Sequence, residues 1–382
     1  MRIGIDVSRA VAAQPTGTEN YSLQLIRNIL RLPEVEDGSR QFLLYCNQRP
    51  RRGLFPQSDL SELKVMPFPR LWTHIRLSYE MLLHAPDVLF VPAHVIPLMH
   101  PKASVATIHD LGHLYFPEAY PKDVLKYLTW ATEHNVRAAT HLLADSEATK
   151  ADLATLLSVD PERVTVVYPG LSPTYQPEHY PVEPTDVLAR YGITEPYVLY
   201  VGTLQPRKNV ERLIEAFARA KQEKRLRERL VLVGRMGWLP EGIIRQLEHV
   251  GEAVTLAGYV PDSDLPALYA GATVFVLPSL FEGFGMPVLE AMACGTPVIA
   301  ADTSCLPEVV GDAGVLVDPQ STEDLEEALV WMCEHEGFRE QLRAKGLVRA
   351  QEFTWEAAAR KTLEVLDKVG EANVTNQAVQ KE

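Results

Sequence analysis

Two doubly wound parallel-sheet α/β domains facing a cleft are the architecture the sequence predicts, and three observations predict it. Short apolar runs alternate with runs of helical period, the alternation restarts in the second half, and a break at 168–186 holds five prolines in nineteen residues. Alternation of this kind builds parallel sheets with helices on both faces. In chain order, RIGIDVS, QFLLYC, DVLFVP and ASVATIHD read as buried strands, interleaved with the amphipathic runs NYSLQLIRNIL and DVLKYLTWATEHNVRAA. After the break, YVLYVGT, RLVLVGR, AVTLAGY, TVFVLPS, TPVIAAD and GVLVD each close a strand just before a Gly, Pro or polar turn. The expected division is a first Rossmann-like domain at 1–170, a linker at 171–195 and a second Rossmann-like domain at 196–352. A helix at 353–370 packs back on the first domain, and 371–382 is a disordered tail.

The 382 residues, 46% hydrophobic and 23% charged, are enough for two cores of ordinary globular composition. No apolar run approaches the length of a membrane span, and MRIGIDVS shows no leader pattern, so a cytoplasmic protein is expected. Four scattered cysteines without a C-x-x-C pair indicate neither a disulfide framework nor a zinc site. A net charge of −13 argues against nucleic acid as a partner. The charge is uneven, with 17 basic against 18 acidic residues in 1–170 and 20 against 32 in 171–382. Arg49, Arg51 and Arg52 form a basic cluster in the neutral half, either a solvated loop or a contact for an anion.

Ligands of open α/β sheets sit at the carboxyl ends of the strands, so the loops there matter most. After the strand ending at Gly202, Arg207 and Lys208 precede Asn209, an expected N-cap for a helix with Val210, Leu213, Ile214 and Phe217 on one face. Two cations at a helix N-terminus are unfavourable unless an anion is shared between them and the backbone N–H groups. A diphosphate is such an anion; the plainer alternative is two solvated charges.

The stretch PSLFEGFGMPVLEAMACGTPVIA places two carboxylates eight positions apart. Gly283 and Gly285 let the backbone turn close to a ligand and Pro287 suits the start of a helix, which leaves Glu282 in the loop and Glu290 expected in the first helical turn. A carboxylate accepting two hydrogen bonds suits a vicinal diol such as a ribose, and Glu290 is placed for it. Glu282, nearer the strand end, is placed to meet a transferred group. The N–H groups of Phe284, Gly285 and Met286 are available to a phosphate or a sugar hydroxyl.

With these residues assembled, the chain resembles the GT-B retaining glycosyltransferases of group 1, family 4. The resemblance rests on the Arg-Lys-Asn after the first strand of the second half and on E-GFGMPVL-E followed by AMACGTPVIAAD. MRIGIDVSRA with TGTENY, TIHDL and ADSEATKADL extend it over nearly the whole chain. It implies an acceptor-side first domain and a second domain binding a nucleotide-diphosphate sugar. It further implies that Arg207 and Lys208 bind the donor diphosphate, that Glu290 holds the ribose, and that Glu282 and the backbone of Gly283 to Gly285 contact the transferred sugar. His109 would touch that sugar from the other domain, and Tyr259 and Val260 would hold the base. GIDVSRA and TGTENY resemble mannosyltransferase-like members, which implies GDP-mannose as donor and a saccharide or lipid-linked saccharide as acceptor. A UDP-sugar donor, or a non-catalytic nucleotide-sugar module, is the alternative; a pyridoxal-phosphate phosphorylase would need a lysine context that the chain lacks.

His109 is one of eight histidines in the first half, distinguished by its place right after the strand SVATI. Gly17 and Thr18 offer a helix-start contact for phosphate, although GTEN departs from the glycine and arginine that many relatives carry, which leaves Glu19 and Asn20 unassigned. DSD at Asp262 to Asp264 resembles the metal-binding D-x-D of another glycosyltransferase fold, but it precedes an expected helix and is read as a cap supplied by Ser263 or its neighbours. No metal and no cofactor are expected. The helical run at 69–85, with Arg70, Trp72, Ile75 and Arg76, reads either as a core helix or as a peripheral membrane contact.

Overall fold

The computed structural model describes residues 1–12, 17–35, 38–56, 58–175, 184–194, 196–223, 225–238 and 241–379. Of the expected linker, 176–183 and 195 lie outside these. The chain forms two units: residues 1–111, 123–170 and 354–382 make the first, and 112–122 with 171–353 the second.

Unit 1 contains seven parallel strands: β1 (Arg2–Asp6), β2 (Gln41–Cys46), β3 (Ser61–Val65), β4 (Val88–Val91), β5 (Ser104–Ile108), β6 (His141–Ala144) and β7 (Val164–Val166), in the spatial order β3-β2-β1-β4-β5-β6-β7. The central strands are near-continuous apolar runs because helices cover both faces. Ile3 pairs with Phe42 on one side and Val88 on the other. That layer packs against Leu25, Ile26 and Ile29 of the helix Gly17–Ile29 and against Ala359, Leu363 and Leu366 of the C-terminal helix. Order reverses between β1 and β4, so their carboxyl ends flank the switch point where such sheets bind ligands.

Unit 2 repeats the design with six parallel strands: β8 (Tyr197–Val201), β9 (Arg229–Val233), β10 (Val254–Gly258), β11 (Val274–Leu277), β12 (Val298–Ala301) and β13 (Gly314–Val317), in the order β10-β9-β8-β11-β12-β13. Its switch point falls between β8 and β11. Those are the strands followed by the Arg207-Lys208 loop and by the loop carrying Glu282.

Several expectations need correction. Residues 112–122 cluster with unit 2 rather than with the first domain, because Tyr115 stacks on Phe281 with ring centroids 5.1 Å apart and Trp238 Nε1 donates to Ala119 O. The final helix, Trp355–Val379, does not stop at residue 370: helix replaces the expected tail up to Val379, and 380–382 lie outside the described residues. It belongs to unit 1, clamped by a bidentate pair from Arg40 to Asp367 at 2.8 and 3.0 Å. Trp72 is buried, its Nε1 donating 2.7 Å to Met66 O, so it belongs to the core and not to an exposed face.

Candidate active site

At the switch point of unit 2, glycines clear the ground. Gly202, Gly234 and Gly258 close β8, β9 and β10, with Gly202 N donating to Val233 O at 2.9 Å and Gly234 N to Gly258 O at 2.8 Å. A Cβ on Gly234 would collide with Gly202 O, so side chains are excluded where the two backbones meet. Gly285 has φ 90°, and a Cβ there would lie 2.6 Å from Leu306 Cδ2.

The loops after β8 and β11 are tied to each other. Leu280 N donates to Arg207 O at 2.9 Å, and the buried Arg207 guanidinium donates back to Phe281 O. Lys208 Nζ donates to both oxygens of Glu282, at 2.6 and 2.7 Å, while Ser279 Oγ donates to Oε1 at 2.6 Å. Arg207 Nη1 stands 3.8 Å from Glu282 Oε2. Burial works to raise the Glu282 pKa, but Lys208 and Arg207 together outweigh it and hold the carboxyl below its ordinary value. The anion that the two cations share is thus Glu282 itself. Its N–H is fixed by a 3.0 Å bond to Ser304 Oγ.

Asn209 does occupy the N-cap position of the helix Val210–Gln222, yet it makes no side-chain cap bond. It adopts φ 57°, and its Nδ2 donates to Pro278 O at 2.9 Å and Pro319 O at 2.7 Å, so it fastens the β11 loop instead of the helix end. Ser263 is corrected in the same way. Asp264 is the residue at the N-cap position of Leu265–Gly271 and makes no side-chain cap bond; its carboxylate accepts from Tyr191 Oη at 2.7 Å and Arg190 at 3.3 Å.

Glu290 lies beyond the first turn of its helix, Met286–Ala293, so helix-dipole complementation does not explain it. Tyr269 Oη donates to its Oε2 at 2.9 Å, and Tyr175 stands beside it. Burial, with Asp262 adding to it, pushes the Glu290 carboxyl up to about 7. Nearby at the ends of β9 and β10, Tyr259 is 55% exposed and carries the Arg235 guanidinium 4.6 Å above its ring, while Val260 is buried.

Unit 1 places His109 at the end of β5. Its Nδ1 lies 2.7 Å from Asp145 Oδ2 and its Nε2 3.0 Å from Pro92 O. With Asp145 ionised, its carboxylate and the Pro92 carbonyl both accept, an arrangement that suits a ring carrying hydrogen on both nitrogens. Burial opposes that charge, but Asp145 and Asp110 overcome it and raise the His109 pKa. Tyr21 meets the ring edge-on, centroids 4.8 Å apart. Gly17 and Thr18 begin their helix, and Glu19 pairs with Arg9 at 3.4 Å. Sequence reading missed Asp145, Gly234, Ser279, Ser304 and Arg235. Only Gly234 carried a local signal, a glycine closing a strand like Gly202.

Two doubly wound units, one with cations and buried carboxylates on the segments after its switch-point strands and an exposed tyrosine after β10, define an α/β protein with its charged groups gathered at the carboxyl ends of the strands. The chain belongs to the group 1, family 4 glycosyltransferases. The model of glycosyl transferases group 1 matches residues 189–349, and that of glycosyltransferase family 4 matches residues 20–175. An O-antigen chain mannosyltransferase B of Escherichia coli is 36% identical over 91% of this chain and 95% of its own. A D-inositol 3-phosphate glycosyltransferase of a Nocardioides species is 32% identical over 71% of this chain and 62% of its own. Sucrose-phosphate synthase from Thermosynechococcus elongatus, at 21% identity, shares the fold with a TM-score of 0.73 over 97% of this chain and all of that one. The protein is therefore a glycosyltransferase of GT-B fold.

Proposed function

We propose that this glycosyltransferase is a retaining, metal-independent mannosyltransferase that draws on GDP-mannose and extends a saccharide or lipid-linked saccharide in polysaccharide synthesis. The observation that carries the reading is the buried cluster of Lys208, Arg207 and Glu282 at the switch point of unit 2. A nucleoside diphosphate gains negative charge as its glycosidic bond breaks, and Lys208 is the preorganised cation positioned to share itself between Glu282 and that charge. Arg207, tied to Phe281 O, holds the β11 loop in register and adds its field. Glu290 accepts from the donor ribose, with the base beside Tyr259 and Val260, and Gly17 and Thr18 receive phosphate at a helix start. The choice of mannose is supported by the likeness to the Escherichia coli O-antigen mannosyltransferase.

Among the described residues, no three His, Cys, Asp or Glu side chains converge on a point that would hold a metal ion. No helix among them is long and apolar enough to cross a membrane. A membrane-face contact is supported by Ile75, Tyr79 and Leu82, exposed along the helical run Thr73–His84, with Leu71 exposed just before it. A donor screen with intact product analysis, with and without EDTA, tests the central reading. Transfer from GDP-mannose with retention of anomeric configuration, unaffected by chelation, is expected. Transfer only from a UDP-sugar overturns the donor assignment, and activity lost in EDTA and restored by manganese overturns metal independence.

A further inference from the structure

Five described residues other than glycine take positive φ. Ser158 is an ordinary left-handed helix end, and Asn209 and Ser304 brace the loops around Glu282. His94 has the largest value, 80°, and stands three residues past β4, at the switch point of unit 1. A side chain there is strained where glycine is not, and strain of this kind persists only where the surroundings over-determine the backbone.

The surroundings do so. Buried Asn135, on the helix Lys122–Ala138, donates from Nδ2 to His94 O at 2.7 Å and accepts from Ile96 N at 2.8 Å, gripping the turn on both sides of Val95. His134 Nε2 lies 3.0 Å from Ile96 O, and Pro92 O is the group that meets His109 Nε2. The turn after β4 is thus tied to the residue that follows β5. None of these bonds uses the His94 ring, and the residue remains exposed. Protein crowds it nonetheless: desolvation, with Arg9, His109 and His74 adding to it against Glu19, pushes its pKa down to about 4, so the imidazole is neutral near pH 7.

A neutral imidazole offers one accepting and one donating nitrogen, which a sugar hydroxyl and a neighbouring oxygen complement. A phosphate instead asks for donors and positive charge. A braced backbone carrying an accessible ring, at the strand ends where open α/β sheets bind ligands, marks a group that is presented and not one that packs. We propose that His94 holds the attacking hydroxyl of the acceptor sugar and that the strained turn serves to present its ring. The proposal rests on the transferase reading above and adds to it the residue that orients the nucleophile.

Calorimetry with GDP-mannose and initial-rate transfer to a panel of octyl hexosides test this in the full chain. His94→Ala and His94→Gly should each lower kcat/KM for the octyl hexoside that the native protein uses by at least about tenfold, while the GDP-mannose Kd stays within about twofold of native. His94→Gln, which keeps an acceptor and a donor, should recover part of the loss. Strain gives a readout that a packing role does not share: the melting midpoint of His94→Gly should match or exceed that of the native protein and lie above that of His94→Ala. Undiminished transfer by His94→Gly overturns the proposal, as does a His94→Gly midpoint below that of His94→Ala, or a GDP-mannose Kd that weakens in step with transfer. A native protein that neither binds GDP-mannose nor glycosylates the panel overturns instead the reading on which the proposal rests.

Discussion

Glu282 and Glu290 sit eight positions apart on one loop and helix, and their surroundings drive them in opposite directions. Glu282 is 7% exposed and meets an ammonium through both oxygens, with a second cation within 4 Å. Glu290 accepts from Tyr269 and lies beside Tyr175, and burial brings its carboxyl to about 7. The same side chain is therefore a fixed anion at one position and a group poised to titrate near neutrality at the other. Environment, not residue type, divides the two tasks. A permanent anion can hold Lys208 in place for a charge that develops late, whereas a carboxyl that ionises on receiving donors suits a hydroxyl-bearing ligand.

The largest effect is expected from breaking the first environment. On the proposed mechanism Lys208→Ala removes the cation that meets the leaving group and leaves the buried Glu282 with Arg207 and Ser279, so it should cost about 2–4 kcal/mol of transition-state stabilisation, on the order of a hundredfold or more in kcat. Lys208→Arg should restore little, since a planar fork replaces a compact ammonium gripped by both oxygens of one carboxylate. Glu282→Gln should lower kcat as well, with a smaller change in donor KM, because it releases Lys208 without removing it. Steady-state kinetics in which Lys208→Ala keeps native kcat and raises KM alone would make the pair a ground-state binding device instead.

The second environment sets a smaller, pH-dependent effect. A diol needs an accepting carboxylate, so donor binding should strengthen as Glu290 ionises: with a pKa of about 7, donor KM should fall about tenfold from pH 6 to pH 8. Sugar nucleotides carry diester phosphates that do not titrate there. Glu290→Gln should raise donor KM, leave kcat nearly unchanged and flatten that profile. Stability supplies an independent check. A folded pKa raised above the ordinary value of 4.5 means that the native state binds more protons between about 4.5 and 7, so this group's contribution to stability is full below 4.5 and is lost as pH rises through 7. The melting midpoint of Glu290→Gln, compared with the native protein across that window, should lack that part of the slope. A native donor KM that is flat from pH 6 to 8 would break the contrast between the two glutamates.

Both glutamates, the cations and the glycines were legible because each stood next to a strand end that apolar runs made visible. Strands β6 and β7, HLLA and VTV, were missed because such short runs have no periodicity of their own; β3, SELKV, was missed because an edge strand need not be apolar. Asn209 and Asp264 sat at helix starts as expected, but their side chains serve partners 69 and 73 positions away, Asn209 reaching Pro278 and Asp264 reaching Tyr191, and no local pattern encodes that. The tie between residues 112–122 and Phe281 is of the same kind. Asp145 lay inside ADSEATKADL, where its neighbour Ser146 is the residue that caps the next helix, its side chain accepting from Thr149 N.

Asp145 gives the smallest effect and extends the contrast into unit 1. There a carboxylate faces a buried imidazole, and Asp145 raises the His109 pKa much as Lys208 lowers that of Glu282 in unit 2. Asp145→Asn keeps an acceptor for His109 Nδ1–H but removes the negative charge that offsets burial of the ring, so the His109 pKa should drop. The sign for stability follows: a histidine with a raised folded pKa contributes fully below about 6.5 and loses that contribution as pH rises through its folded value, so the variant should lose more stability at pH 6 than at pH 9. Turnover should change only a few-fold, because the ring keeps its place through Pro92 O and the edge of Tyr21. Imidazole resonances followed by nuclear magnetic resonance against pH read the charge directly. A His109 that titrates alike in the native protein and in Asp145→Asn would mean that the pair is held by shape alone, and the likeness between the two ion pairs would end there.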